Sequence, residues 1–295
     1  MKRLRPIVWQ FLLLAICLAG ATLALRSVDR VRGRQATLQD VLYIRSGKTL
    51  KRASLGYSGL LADIYWTRAV QYFGSGHVRH ETRFDLLYPL LDITTDLDPH
   101  LIVAYEFGSI FLSQAKPAGA GQPEQAAALV EKGIRENPKY WRLYFTLGYI
   151  HYFDRKDYKA AAMAFQKGSE VPGAQPWMRS MAASMAVHAG EPELAAAIWR
   201  HIYESTEDEG IRQNAVQHLQ ALQIDQEIAE LQRRVDLYRQ KTGQAPYGWQ
   251  SLIQAGLLRG VPRDPTNKPY ILDTQGKVRT KDPVPFVTQA RDRKE

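Results

Sequence analysis

Apolar residues recur at helical spacing through most of the stretch from 35 to 243. The run 60–73 is apolar on most sides and predicts a buried helix, and the runs 84–97 and 101–112 predict two more. The second of these three helices ends before Pro99, because proline cannot continue a helix. Further helices are predicted at 124–135, 176–189 and 193–203.

Local signals predict where several of these elements start and stop. Gly74-Ser75-Gly76 predicts the end of the first helix, and Ser46-Gly47-Lys48 predicts a turn. The pair Thr206-x-x-Glu209 has the pattern of a capping box and predicts a helix that runs to about residue 222. Asp225 then predicts the start of a separate helix.

The stretch 137–172 predicts two short helices joined by a break at Lys156-Asp157-Tyr158. It resembles a tetratricopeptide repeat, whose pattern is W-x2-L-G-x2-Y, then A-x3-F, then P. Leu147-Gly148 matches the L-G pair, and Ala161 and Phe165 match A-x3-F. The chain departs from the pattern in having Tyr144 at the tryptophan position and His151 at the tyrosine position.

The element A-x3-large apolar recurs in the helices before and after this stretch, at steps of 35 and 34 residues. The resemblance therefore implies an α-solenoid of three recognisable and one or two degenerate helix pairs, because a single pair cannot bury its apolar face alone. A non-repeat helical bundle with chance spacing is the alternative. The three recurring pairs are Ala126/Val130, Ala161/Phe165 and Ala195/Trp199.

The chain changes character after Gly243, where prolines become frequent. We predict a small α/β appendage at 244–295, with a short helix at 249–258 and a β-hairpin formed by 270–272 and 277–279. Its sequence is similar to the end of type II secretion pseudopilins, whose motif is D-P-x-G-x-P-Y. Asn267 stands here at the position of the motif's glycine.

The N-terminal region 1–34 combines an apolar run at 7–25 with seven basic residues. The run is long enough to nearly span a bilayer, so we predict an uncleaved signal anchor and a single-pass protein of the bacterial inner membrane, with its large domain extracytoplasmic. A cleavable signal peptide is the alternative, because Ala19-Gly20-Ala21 has the form of a cleavage site. Most of the net charge of +9 flanks this run, which argues against nucleic acid as a partner.

The sequence contains no recognisable catalytic, cofactor-binding or metal-binding motif. Cys17 is the single cysteine, so a CxxC zinc site and an intrachain disulfide are excluded. His80-Glu81 begins like a zinc-protease helix, but Phe84 stands where the second histidine is required. We therefore predict a protein that is not an enzyme and needs no cofactor.

The resemblance to tetratricopeptide repeats implies a groove lined by the first helix of each pair. Transferred to this chain, the groove positions include five aromatic residues and one arginine, a composition typical of protein-binding hot spots. We predict a membrane-anchored adaptor that binds a protein partner through this groove; the alternative is a component or assembly factor of a secretion or pilus system, and an enzyme of unrecognised type is more distant. The groove residues are Tyr105, Arg142, Phe145, Tyr149, Tyr152 and Trp177.

Overall fold

The computed structural model describes residues 46–288, together with Gly20 and Thr22. The chain divides into two compact units, Met1–Gly121 and Gln122–Glu295. The described residues are mainly helical and contain one two-stranded sheet. The prediction of a mainly α fold is therefore confirmed.

Residues 46–121 of the first unit contain four helices. The third, α3, packs against each of the others and carries fully buried Leu90 and Leu91. The first begins where a turn was predicted, because the Ser46 hydroxyl accepts a hydrogen bond from the Thr49 N–H at 3.3 Å and so caps a helix. The four are α1 Gly47–Ala53, α2 Ser58–Val78, α3 Leu87–Leu97 and α4 Ile102–Ser113.

Helix α2 continues through the glycines that were expected to end it. A Cβ atom on Gly76 would lie 2.7 Å from Cε1 of Phe84, so glycine lets the helix approach that ring closely. The helix ends two residues later, and His80 follows with a left-handed backbone at φ 57°. The prediction that Gly74-Ser75-Gly76 ends this helix was wrong, because Gly76 is explained by its close packing on Phe84.

The second unit begins with five α-helices, and each packs against the helix that follows it in the chain. This sequential packing is compatible with an α-solenoid. The break predicted between the two central helices is present, and Asp157 caps the second of them by accepting from the Ala160 N–H at 3.0 Å. The elements are α5 Pro123–Glu136, α6 Trp141–Tyr149, a π-helix at Ile150–Asp154, α7 Tyr158–Ser169, α8 Trp177–His188 and α9 Pro192–Ser205.

The two helices predicted after residue 206 form one helix, α10, at Glu209–Thr242. Its N-cap is Asp208, whose Oδ1 accepts from the Ile211 N–H at 3.0 Å, and Thr206 lies at the C-terminal end of α9 instead. Asp225 lies inside α10, and its carboxylate accepts hydrogen bonds from the backbone N–H and hydroxyl of Thr288 at 3.0 and 2.8 Å. A helix does start in the predicted region, but its cap is Asp208, two residues after Thr206. The separate start predicted at Asp225 was wrong, because that carboxylate binds Thr288 inside a continuous helix.

The C-terminal segment packs on the second half of α10. It contains α11 Trp249–Gln254 and the antiparallel strands β1 Ile271–Leu272 and β2 Val278–Arg279, in which Leu272 faces Val278. The Trp249 Nε1–H donates to the Tyr270 carbonyl at 2.8 Å and joins the short helix to the hairpin. The predicted hairpin is confirmed, and the predicted helix is shorter than expected.

Among the described residues, no helix is both long enough and apolar enough to cross a bilayer. The predicted span at 7–25 lies outside the described residues, apart from Gly20 and Thr22.

Candidate functional site

Four aromatic residues spaced four apart form a row along α6 and the π-helix. In this row, Phe145 lies 6.4 Å from Tyr149 between ring centroids, and Tyr149 stacks on Phe153 at 5.6 Å with 14° between the planes. Trp177 of α8 adds a fifth ring, edge-on to Trp141 at 6.2 Å and to Phe145 at 5.4 Å. We call these five residues the aromatic surface.

The aromatic surface combines half-buried rings with rings that are exposed to solvent. Trp141 and Phe145 are half-buried, whereas Tyr149, Phe153 and Trp177 are 44%, 54% and 43% exposed. Large aromatic side chains in contact with one another and still open to solvent are typical of protein-binding surfaces, because a partner gains apolar contact at a low cost in side-chain entropy. The aromatic surface therefore presents three partly exposed rings to a partner.

The π-helix contributes to the alignment of this row. In a regular α-helix, residues four apart are rotated by about 40° past a full turn, so a long row drifts around the helix. At Ile150–Asp154 the turn is wider, and the Arg155 N–H donates to the Ile150 carbonyl at 3.0 Å. A wider turn rotates the chain by a smaller angle per residue and so counteracts this drift. Tyr149 and Phe153 are stacked across this turn, with 14° between their ring planes.

Two cations lie at the ends of the row. The Arg142 guanidinium is 5.6 Å from the centroid of Trp141, and the Lys156 ammonium is 4.9 Å from the centroid of Phe153. An exposed cation over an aromatic face is worth about 0.5–1 kcal/mol. The aromatic surface thus has an apolar middle and positively charged ends, which suits a partner segment with apolar side chains between acidic ones.

A cavity of about 730 Å³ opens beside Trp177. It lies between the N-terminal end of α8, the C-terminal end of α9 and the start of α10, and its lining is mainly apolar, including Ile202 and Ile211. Arg179 and Glu207 supply charges of both signs at its wall. Its size lies within the range of pockets that hold a ligand or a large side chain, so it extends the aromatic surface with a recess.

The structure brings together four of the six predicted groove residues: Arg142, Phe145, Tyr149 and Trp177. Tyr152 is half-buried and packs on Tyr158 with a centroid distance of 6.1 Å, to the side of the row.

The prediction that Tyr105 lines the groove was wrong. Its side chain is fully buried, so it offers no surface to a partner. Transfer of the repeat family's groove positions to α4 also selects Ser109 and Leu112, and both of these residues are fully buried as well. The groove register inferred from the repeat family does not hold in this helix, because its inward face includes those positions.

Sequence reasoning missed Trp141 and Phe153. Both belong to the spacing W-x3-F-x3-Y-x3-F, which the sequence displays and which the repeat consensus does not contain. Because residues four apart lie on one helix face, that spacing alone could have identified the row.

Two histidines have strongly altered environments, and neither belongs to the aromatic surface. Burial, and then the neighbouring Arg155, lower the pKa of His151. Arg155 Nη1 lies 3.0 Å from His151 Nδ1 and can only donate, so the imidazole accepts there and is neutral. His151 therefore has a structural role at the π-helix.

His218 of α10 lies between two rings, stacked on Trp199 at 3.9 Å and on Phe286 at 3.8 Å. Burial lowers the pKa of His218 to about 4. A neutral imidazole sandwiched between aromatic rings is accounted for by packing and needs no catalytic role.

Across residues 46–288, the structure holds no group of three or more His, Cys, Asp or Glu side chains that could bind a metal ion. No protein-family model, curated protein or solved structure matches the chain.

Proposed function

We propose that this protein is an adaptor without enzymatic activity, anchored in a membrane, that binds a protein partner through its aromatic surface. The observation that carries the proposal is the row of contacting aromatic rings on α6 and the π-helix, which stay open to solvent at Tyr149 and Phe153. Truncation of such residues at interfaces commonly costs 2 kcal/mol or more of binding free energy.

We further propose that the helices of the second unit form a tetratricopeptide-like solenoid. Sequential packing of the helices supports this assignment, and so does the closeness of Gly148 to Phe165, the L-G glycine and the A-x3-F phenylalanine. In a solenoid of this kind the first helices of successive pairs line one face, and α6 and α8 together carry the aromatic surface.

The proposed anchor is the apolar run 7–25, in the inner membrane of a bacterium, with the helical units extracytoplasmic. Full-length protein is expected to sediment with membranes, and deletion of residues 1–34 is expected to release it. Mature protein whose N-terminal sequence began at Thr22 would instead show a cleaved signal peptide.

Site-specific photo-crosslinking tests the binding proposal. A photoreactive phenylalanine analogue at Tyr149 is expected to capture a protein partner in intact membranes, whereas the same analogue at Tyr203 is not. Tyr203 is a matched control, since it is a tyrosine of the same unit with 43% exposure against 44% for Tyr149. Equal capture at both positions would count against a specific surface.

The second candidate function is a component or assembly factor of a secretion or pilus system. The observation that favours it is the turn at Asp264, where Asn267 adopts the left-handed backbone, φ 68°, that the pseudopilin-like motif assigns to glycine. Asn tolerates this conformation, so the substitution leaves the turn possible. A photoreactive analogue at Tyr247, which is 99% exposed, would then capture the partner that Tyr149 does not.

A further inference from the structure

The connection between α1 and α2, together with the first turn of α2, presents large apolar side chains to solvent. Leu55 is 88% exposed, Tyr57 is 70% exposed and Leu60 is 59% exposed. We call these three residues the apolar tip. Single exposed apolar residues are common, but three of this size within six positions form a patch that requires an explanation.

The backbone holds the tip in this position at a cost. Leu55 has φ 49° and Gly56 has φ 93°, and a leucine in the left-handed region is unfavourable by roughly 1 kcal/mol or more. The Tyr57 N–H donates to the Ser54 carbonyl at 2.9 Å and closes this turn. Because the Leu55 side chain is 88% exposed, burial of that side chain among the described residues does not offset the cost.

The residues that flank the tip in sequence carry charge of one sign, and Asp96 of α3 packs against Gly47 at the opposite end of α1. Residues 46–62 contain three basic residues, Lys48, Lys51 and Arg52, and no acidic residue; the first acid that follows is Asp63. All three cations are exposed. An apolar tip beside a cluster of cations matches the interface of a bilayer that contains anionic lipids, where apolar groups insert and cations stay at the headgroups.

The tip also lies close in sequence to the proposed anchor. Only the 20 residues 26–45 separate the apolar run 7–25 from Ser46, and a chain of that length reaches at most about 70 Å. If the run spans a membrane, the tip is confined near the same surface. This confinement raises its effective concentration at the lipid, so weak insertion suffices.

We propose that the apolar tip and the cations Lys48, Lys51 and Arg52 form a second membrane contact, which inserts into the interface of an anionic bilayer and holds the first helical unit against it. The proposal rests on the membrane anchoring in the proposed function. It is independent of the aromatic surface and of any protein partner.

The experiment uses full-length protein in which Cys17→Ser removes the single native cysteine. An environment-sensitive fluorophore is attached at Ala53→Cys, at the end of α1, or at Ala255→Cys, which is also an exposed alanine and follows the short helix α11. Protein is reconstituted into vesicles of phosphatidylcholine with phosphatidylglycerol, or of phosphatidylcholine alone. Acyl-chain doxyl lipids report contact with the bilayer, and flotation reports attachment of the protein.

The expected result is a blue shift and doxyl quenching for the label at position 53, stronger with phosphatidylglycerol, and neither effect at 255. Leu55→Ser with Leu60→Ser should abolish both effects. Lys51→Gln or Arg52→Gln should each lower the inserted-to-free ratio, by roughly fivefold for each cation. Flotation of all these variants should be unchanged if the anchor is intact.

A label at 53 that stays as aqueous as the label at 255, on protein that floats, overturns the tip proposal and leaves the anchor standing. Flotation only with phosphatidylglycerol, reversed by high salt, supports the tip and removes the anchor. Protein that does not float overturns both. A blue shift that appears in detergent solution and grows with protein concentration assigns the tip to a second copy of this chain and overturns the lipid contact.

Discussion

Replacement of Gly148 by alanine is expected to destabilise the second unit, although alanine is the better helix former. Two effects compete. Alanine in a helix interior gains about 0.5–1 kcal/mol over glycine from backbone entropy. The new methyl group would lie 2.5, 2.7 and 2.8 Å from three ring atoms of Phe165, which is well inside van der Waals contact.

Whether Gly148→Ala stabilises or destabilises the unit depends on how far the ring of Phe165 can move away from the new methyl group. Phe165 is fully buried on α7, so its ring cannot swing into solvent, and α6 and α7 must move apart instead. Overpacking of this kind costs about 1–3 kcal/mol. The net expectation for Gly148→Ala is a loss of about 1–2 kcal/mol, which for a unit of this size lowers the melting temperature by about 3–6 °C.

The assay is thermal unfolding followed by far-UV circular dichroism. Gly74→Ala is the control, because Gly74 also lies inside a helix and a Cβ there would meet nothing within 4 Å, so that variant should be slightly stabilised. The Gly148→Ala substitution should lower the melting temperature less in a Phe165→Leu background than in the parent protein, because the smaller side chain relieves part of the clash. A Gly148→Ala protein that melts at or above the parent temperature would refute the close packing of α6 on α7.

Ala161→Trp should lower the melting temperature by more than Gly148→Ala does, because Ala161 is fully buried and a large side chain overpacks its site; unchanged melting would mean that this face of α7 is not inward. Asp208→Ala should cost about 1 kcal/mol in chemical denaturation and Thr206→Ala distinctly less, because Asp208 caps α10; equal losses would contradict that assignment. Burial lowers the pKa of His218 to about 4 in the folded protein, so the unfolded chain binds the proton more readily and stability should fall as pH drops from about 6.5 towards 4. The loss should reach about 1–2 kcal/mol, reduced by partial solvation and by the adjacent ring faces, and His218→Leu should remove this part of the pH dependence.

The helix pairs could be predicted because their signals are local. Asp157 caps the next helix, and the spacing of Ala161 and Phe165 fixes which face of α7 is buried. Such signals depend on residues within a turn or two of each other, so a single sequence displays them.

Non-local contacts caused the errors. Asp225 is a residue type that commonly caps helices. Its carboxylate instead binds Thr288, which is 63 residues away, and helix α10 continues through Asp225. Gly76 is a residue type that commonly ends helices, yet here glycine is required because the ring of Phe84 leaves no room for a Cβ atom. In each case the residue type is explained by a partner that sequence spacing does not reveal.

The candidate site was predicted only in part, because the repeat consensus does not describe every helix of this chain. The repeat consensus identified the face of α6 that carries Phe145 and Tyr149, but it placed Tyr105 in the groove, where the structure buries it. Phe153 was missed because the repeat consensus contains no position for it, although its spacing of four residues from Tyr149 is visible in the sequence.

The central claim, that the aromatic surface binds a partner and is not a piece of the core, is tested most directly by Tyr149→Ala with two readouts. Tyr149 is 44% exposed, so its truncation should lower the melting temperature little, whereas partner capture from membranes should weaken by a factor that corresponds to about 2 kcal/mol or more. Tyr203→Ala, matched in exposure, should change neither readout. A Tyr149→Ala protein that loses about 3–5 kcal/mol of stability would make Tyr149 a core residue, and a stable variant that retains its partner would place the binding surface elsewhere.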